Sequence, residues 1–483
     1  MSKPKRLHPI ASVIQTGKRL KGLALPGIAF IISVGRHGKE GLVGSLVISL
    51  VVVLIILLTG ILSWLRFTFR FENDELRIEH GVFIRKKRYI PFERIQSIDL
   101  TEGILQRIFG LVKVQIETAG GGGGEEAEAV LSAISKEEAR LIQEYVAAAK
   151  NGGAGETQFV QEGQPVFKIS FGQLMILSLT SGGIGVVISA LFALLSQLDD
   201  LIPFQRLFGG FEKWAVHNLF IIAIIVFLGF FLAWLIALVM TMLKYSNFTV
   251  VKTEKDFIIS HGLLEKRQIT IPLNRIQAIR VSETLVRHFL GYGTVTIESA
   301  GGSTANLEGA NVTLLPIVKV KQIQSIIGPH ISDYIFANSF NPAPKRAMWR
   351  YILRTWYFVI PIVIISLIFL KVWGMLSFIL LAFVTIWAIH KYRAAGWALN
   401  EQQLSLRFQF IKRTTVFMKK NKIQSLETRG SPFQRKRNLG TIEANVKSGV
   451  GAGGGSVIDI EKSDIEKIFE WYSRNKKGDC TEV

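Results

Sequence analysis

The chain has 483 residues, of which 49% are hydrophobic and only 19% charged, with a mean hydropathy of +0.33. Its apolar residues gather into long blocks, which excludes a disordered or fibrous chain and points to a polytopic membrane protein. Lys and Arg outnumber Asp and Glu by 57 to 37, and the lone cysteine, Cys480, excludes an intramolecular disulfide.

In chain order, residues 1–21 form a basic tail with Lys3, Lys5, Arg6, Lys18, Arg19 and Lys21 and no acid. An uncharged run at 22–34 is short for a span, but 24 uncharged residues follow at 42–65. No small-x-small cleavage pattern lies between them, so the pair reads as a helical hairpin and not as a signal peptide. Runs at 171–198 and 214–243, the second interrupted only by His217, make a second pair. Runs at 355–370 and 372–389, separated by Lys371, make a third. A membrane helix needs about 20 apolar residues, so six spans in three hairpins are expected. The short loops between the legs carry a net charge of +1 and the rest of the chain +19. Lys and Arg accumulate on the cytoplasmic side, so the N-terminus and the large soluble segments are expected there, in the cell membrane of a multi-pass protein. Topology accounts for the basic excess, and no nucleic acid partner is implied.

The soluble segments repeat. "RYIPFERIQSIDLTEGILQRIFGLVKVQIETAGG" from Arg88 matches "QITIPLNRIQAIRVSETLVRHFLGYGTVTIESAGG" from Gln268. Pro91, Arg94, Gln96, Gly110, Glu117 and Gly120 meet Pro272, Arg275, Gln277, Gly291, Glu298 and Gly301. A third, more divergent copy starts at Lys419: Lys422-Ile423-Gln424 takes the Arg-Ile-Gln place, Gln434-Arg435 matches Gln106-Arg107, and Gly440 arrives two residues late. The repeat is far longer than a solenoid unit, so it is a domain duplication. Within each module, alternating runs such as 67–71 and 112–116 predict strands, and Gly81 and Gly262 predict turns. Ser135 with Glu138 and Ser463 with Glu466 predict capping boxes, and Ile465, Ile468, Phe469 and Tyr472 predict one buried helical stripe.

The expected fold class is an α+β polytopic membrane protein. Three transmembrane hairpins are each followed by a cytoplasmic, pleckstrin-homology-like bent antiparallel sheet with a C-terminal helix. The units are a tail and hairpin at 1–66, modules at 67–150, 245–336 and 391–476, hairpins at 171–244 and 350–390, linkers at 151–170 and 337–349, and a tail at 477–483.

The "RIQSI…LQRIFG…V.IETAGG" stretch at 94–121, with its copies at 275–302 and 422–449, resembles bacterial pleckstrin-homology-domain membrane proteins of the YdbT type. The resemblance covers essentially the whole chain. It implies a non-enzymatic membrane protein, often paired with a smaller single-module relative and associated with envelope stress and antimicrobial-peptide tolerance. The lipid chemistry of eukaryotic pleckstrin-homology domains does not transfer with the fold.

Arg94, Gln96, Gln106, Arg107, Arg275, Gln277, Lys422, Gln424, Gln434 and Arg435 form a candidate module interface. The plainer reading has their glutamines bonding local backbone. Arg85, Lys86, Lys87 and Arg88 are candidates for anionic-lipid contact, against simple positive-inside decoration. Glycine runs at 120–124, 301–302 and 449–455 read as flexible strand connections. Gly449, Gly451 and Gly454 satisfy G-x-G-x-x-G, but a strand-like run, not a helix, follows. In the loop at 199–213, Leu201, Phe204, Leu207, Phe208 and Phe211 suit an interfacial anchor helix. No two histidines lie closer than 27 residues, and the uncharged runs hold no ionisable relay. Catalytic residues, metals and cofactors are therefore not expected. The leading expectation is a membrane scaffold that forms a hetero-oligomer with a smaller pleckstrin-homology-like membrane protein. The alternatives are an exporter of amphipathic or lipidic cargo and an anionic-lipid sensor.

Overall fold

The computed structural model describes residues 4–35, 39–72, 74–118, 129–150, 163–181, 189, 219–299, 311–331, 333–336, 339–448 and 452–473. Each module contributes seven strands among them. The first holds β1 (Lys5–Arg6), β2 (Thr68–Glu72), β3 (Glu75–His80), β4 (Lys86–Pro91), β5 (Ile95–Glu102), β6 (Leu111–Thr118) and β7 (Ala129–Ser135). The second holds β8 (Gln164–Lys168), β9 (Thr249–Lys252), β10 (Asp256–His261), β11 (Lys266–Pro272), β12 (Ile276–Glu283), β13 (Tyr292–Ser299) and β14 (Asn311–Lys319). The third holds β15 (Asn341–Pro342), β16 (Gly396–Asn400), β17 (Gln403–Gln409), β18 (Arg413–Lys419), β19 (Ile423–Arg429), β20 (Leu439–Lys447) and β21 (Ala452–Glu461). The first strand of each set precedes its module's helices, within the stretches read from sequence as the tail and the two linkers.

Local chemistry explains the strands. In β10, Phe257 and Ile259 point inward while their neighbours face out, the period-2 pattern of a half-buried strand. Gly81 and Gly262 have φ of 119° and 105°, and a Cβ on either would fall 2.0 Å from a carbonyl oxygen three residues on. Only glycine fits there. Pro91 and Pro272 open a 3₁₀ turn that bends β4 into β5 and β11 into β12. Lys419 adopts the same extended conformation and makes the same corner, so the third copy does not need the proline. The third copy also keeps the later turn. Asn438, at φ 51°, takes the place of Gly110 and Gly291, and not the late Gly440 expected from the sequence. Asn is among the few residues that tolerate this region.

The expectation of one bent sheet per module requires correction. Each module divides into a four-strand half and a three-strand half, and hydrogen bonding runs between modules. The strand orders are β1-β2-β3-β4, β7-β6-β5-β11-β10-β9-β8, β14-β13-β12-β18-β17-β16-β15 and β19-β20-β21. Packing, by contrast, is mostly within a module, although Phe417 of β18 joins the second core and Ala278 of β12 the third. Phe69, Leu76 and Ile78 of one half meet Ile95, Val114, Ile116 and Leu131 of the other, closed by Ile142 and Val146 of the helix Lys136–Lys150. The second core, around Phe257, Ile259, Ile279 and Val295, and the third, around Leu404, Leu406, Ile442 and Ile460, repeat this plan.

The Ser135–Glu138 capping box forms, with reciprocal bonds of 3.1 and 3.2 Å. The Ser463 box does not. The helix Lys462–Tyr472 starts two residues earlier with Glu461 as its cap, because β21 runs straight into it and Lys462 N–H donates to Asn438 O. Ile465 and Ile468 are buried as expected, but Phe469 is exposed. Of the glycine runs, 120–124 and 301–302 lie outside the described residues. Gly453 to Gly455 are not a flexible connection but part of β21, paired with Ala444 to Val446. A Cβ on Gly455 would sit 2.7 Å from the Phe408 ring, so the small residue lets two sheets approach.

Among the described residues, three helical stretches are long and apolar enough to cross a membrane: Val43–Leu65, Val226–Tyr245 and Lys345–Ala394. The first is flanked by the helix Ile10–Gly35, which begins well before the apolar run at 22–34. The two pack closely, since a Cβ on Gly60 would lie 2.1 Å from Thr16 Oγ1. The last stretch folds into helices Met348–Leu370 and Ser377–Ala394, reversing at Lys371 with φ 49°. Trp356 Nε1 donates to Thr385 Oγ1 across this pair at 2.9 Å. Of the run at 171–198, the helix Phe171–Leu179 is described; the loop at 199–213 lies outside the described residues.

Candidate functional site

The places where one module's ladder passes into the next are the chain's most specific constructions. At the first join β11 pairs antiparallel with β5, Lys266 opposite Glu102, Arg267 opposite Thr101 and Gln268 opposite Leu100. At the second, β18 pairs with β12 from Glu283 opposite Arg413 to Ala278 opposite Met418. Lys266 and Arg413 both stand ten residues before the Ile of their Arg/Lys-Ile-Gln element, and Glu102 and Glu283 both stand seven after it. The two joins therefore share one register, with a cation facing a glutamate at the same place.

The joins differ in strength. The first carries three residue pairs and the second six. Asp99 explains the difference: its Oδ1 accepts the Thr270 N–H at 3.4 Å, where a backbone carbonyl would otherwise continue the ladder. Glu117 lies beside it, receiving the Ser97 hydroxyl at 3.0 Å and the Arg275 guanidinium at 4.0 Å. Burial, with Glu117 adjacent, pushes the Asp99 carboxyl up to about 7. At the second join Arg280 occupies the place of Asp99. It binds Glu298 at 2.7 Å and Gly454 O at 2.8 Å, while Gly454 N–H donates to Glu298 at 3.0 Å.

A pH dependence follows. A raised carboxyl pKa means the folded state holds a proton that the unfolded state releases. Asp99 therefore costs nothing below about pH 4, and its cost grows from there to about pH 7 and is constant above. At about 1.4 kcal/mol per unit the ceiling is about 4 kcal/mol, reduced by the water that reaches its partly exposed surface. Asp99→Asn keeps an acceptor for Thr270 and removes the charge. Thermal midpoints in detergent at pH 4 and pH 8 are expected to show the variant nearly unchanged at pH 4 and stabilised at pH 8.

The ten interface candidates separate into groups. Arg107, Arg275 and Lys422 cross module boundaries: Arg107 donates to Leu263 O at 2.7 Å, Arg275 faces Glu117, and Lys422 Nζ donates to Asn274 O at 2.9 Å. Gln106, Gln277, Gln434 and Arg435 bond within their own modules, to Ser132 O, Arg275 O, Asp459 and Gly430 O respectively. Arg94 and Gln424 are exposed, and the Gln96 side chain lies outside the described residues. Asp99, Arg280 and Glu298 escape a sequence reading because each also bonds across a module boundary, Asp99 to Thr270 and the other two to Gly454.

A second feature faces the helices. Gly262 and Leu263 N–H donate to Ser246 O and Leu243 O, Arg66 donates to Val82 O, and the Lys391 ammonium lies 5.0 Å from the Phe410 ring centre. The hairpin tips thus sit at the ends of the apolar helices and present Phe83 and Ile84, Leu263 and Leu264, and Phe410 and Ile411, Phe83 being 94% exposed. The first and third pairs immediately precede basic residues, Arg85 to Arg88 and Lys412-Arg413, and Glu265 alone separates the second pair from Lys266-Arg267. Beside the third tip a cavity of about 200 Å³ is lined by Glu283, His288, Phe289, Trp387, His390 and Arg413. The apolar pair ahead of each basic cluster is visible in the repeat, although the sequence reading had singled out only the charges.

These modules define a class. The bacterial PH domain matches residues 23–150, 190–330 and 358–476, most of the chain, and the protein belongs to that family. It is similar to the UPF0699 transmembrane protein YdbT of Bacillus subtilis strain 168, 38% identical over 99% of both chains. It is, like that relative, a membrane protein. No solved structure matches it.

Proposed function

We propose that the protein is a non-catalytic, multi-pass membrane scaffold whose three modules build an assembly by strand-edge recognition. The observation that carries this reading is the repeated join: two different pairs of modules meet in one register, with a cation opposite a glutamate each time. Modules of this kind therefore recognise their own kind through backbone ladders, a mode in which hydrogen bonds give affinity and flanking side chains give register. A smaller single-module membrane relative is the partner that this recognition suits. The setting proposed for the assembly is envelope protection and antimicrobial-peptide tolerance, as the resemblance to YdbT-type proteins implies. All three hairpins cross the membrane with the modules on the cytoplasmic side, which the charge asymmetry of the loops supports.

The apolar tips and their basic neighbours favour contact with the anionic inner leaflet, where each charge gains about 1 kcal/mol. One experiment addresses both parts. The tagged protein is purified from its native membrane in mild detergent, cross-linked and analysed by mass spectrometry, and its bound lipids are measured. A stoichiometric small membrane protein cross-linked to the modules is expected, together with enrichment of anionic lipid that falls when Arg85 to Arg88 are neutralised. A protein that carries no partner, and whose envelope phenotype survives deletion of all three modules, would refute the scaffold.

A further inference from the structure

The chain uses each kind of joining strand twice and leaves one of each over. β11 and β18 join through their outer edges, and β4, their equivalent in the first module, has no further strand beyond it among the described residues. β5 and β12 join likewise, and β19, their equivalent in the third module, also ends its sheet. Burial follows the same division. In β18, Thr414 to Met418 are buried, whereas in β4 Lys86 to Tyr89 are exposed. In β12, Ile276 to Ile279 are buried, whereas in β19 Gln424, Ser425 and Glu427 to Arg429 are exposed.

The corner residues repeat the signal. Arg275 and Lys422, at equivalent places, each reach back to the preceding module. Arg94 holds that place in the first of the three modules, and it is exposed. From these observations we infer that β4 of one copy pairs antiparallel with β19 of a second copy of this chain, in the register of the two internal joins. This rests on the scaffold reading and names a partner that the reading does not.

Carrying the register over sets Lys87 opposite Thr428, Arg88 opposite Glu427 and Tyr89 opposite Leu426, an apolar pair that would cover a tyrosine now 52% exposed. Lys86 then faces Arg429, whose guanidinium is already held by Glu427 at 2.7 Å and Glu443 at 3.4 Å. Arg94 comes to the level of Asn445, which occupies the place of Glu117 beside β19. The membrane assists, because each module's tip rests at the ends of its own helices and two embedded copies already share a level. One chain cannot satisfy both edges by itself in this structure, since both stand open. The contact is heterologous, so copies form a ring where the rotation closes and a row where it does not. An open, long edge is otherwise an aggregation hazard that native proteins cover.

Cross-strand partners lie within disulfide reach. The test uses full-length protein in its native membrane, with Cys480→Ser as background. Copies carrying Lys87→Cys are co-expressed with copies carrying Thr428→Cys and oxidised. A disulfide-linked dimer is expected, at least fivefold above that of Lys87→Cys copies mixed with Glu427→Cys copies, whose cysteine faces away. A single chain carrying Leu100→Cys and Gln268→Cys reports the first internal join and must cross-link within the monomer. If it does and the mixed copies give no dimer, the inference is overturned. It is equally overturned if a chain bearing both Lys87→Cys and Thr428→Cys closes only on itself. Capture of a small single-module protein by either cysteine in place of a second copy would remove this inference and leave the scaffold reading standing.

Discussion

Asp459→Ala is expected to loosen the third module from its helices and to lower stability by about 2–4 kcal/mol, read as a fall in thermal midpoint and as new protease cleavage near residue 350. Asp459 is completely buried and has φ 58°. Its carboxylate takes Arg350 at 2.9 Å, Arg354 at 3.0 Å and Gln434 Nε2 at 2.8 Å. Both arginines lie on the helix Met348–Leu370, so one aspartate couples a strand of the module to a candidate span. Alanine would strip two cations of their counter-charge and also pay for the left-handed backbone. Asp459→Asn tolerates that backbone and still bonds Gln434, so it should recover part of the loss. If the two substitutions cost the same, backbone conformation and not the ion pairs would set this site.

Val281→Asp is expected to abolish folding of the second and third modules together, at a cost above about 4 kcal/mol, because it places an unpaired charge in a strand with neighbours on both sides. Val281 is buried, opposite Val295 in β13 and Thr415 in β18. Thr428 occupies the same place in β19, where it is exposed, and Thr428→Asp should shift stability by no more than about 0.5 kcal/mol. Yield of membrane-inserted protein and limited proteolysis distinguish the two. Equal damage from both would mean that β19 is covered in the cell by something that depends on an uncharged edge.

Much of the architecture was legible in the sequence. The uncharged runs gave candidate spans, the repeat gave three modules, and alternation at 67–71 and 112–116 gave strands now seen as β2 and β6. Alternation reports which face of a strand is buried. It does not report which strand lies alongside, so the passage of each ladder into the next module was invisible. The Lys266–Glu102 and Arg413–Glu283 pairs link residues far apart in the chain, and no local pattern announces them. The Asn438 turn was missed because glycine was sought where only a positive φ was needed, and the Ser463 box because the strand before it runs on to Glu461. Of the interface candidates, Arg107, Arg275 and Lys422 reach across module boundaries while Arg94 does not, and the buried Gln106, Gln277 and Gln434 bond locally. A long cation reaches a neighbour's carbonyl or carboxylate, while a buried amide must be satisfied close to its own backbone.

Ladders that run from module to module also have a mechanical meaning. Each module is bonded to the apolar helices beside it, so drawing those helices apart loads the strands between modules. The joined ladders thus act as a row of clasps between the helices they are attached to. The clasps are unequal. Three residue pairs hold the first, weakened when the Asp99 carboxyl ionises, while six pairs and a partly buried arginine–glutamate bridge hold the second. Under tension the first join is the weaker of the two, and it weakens further as the pH rises from about 4 to about 7.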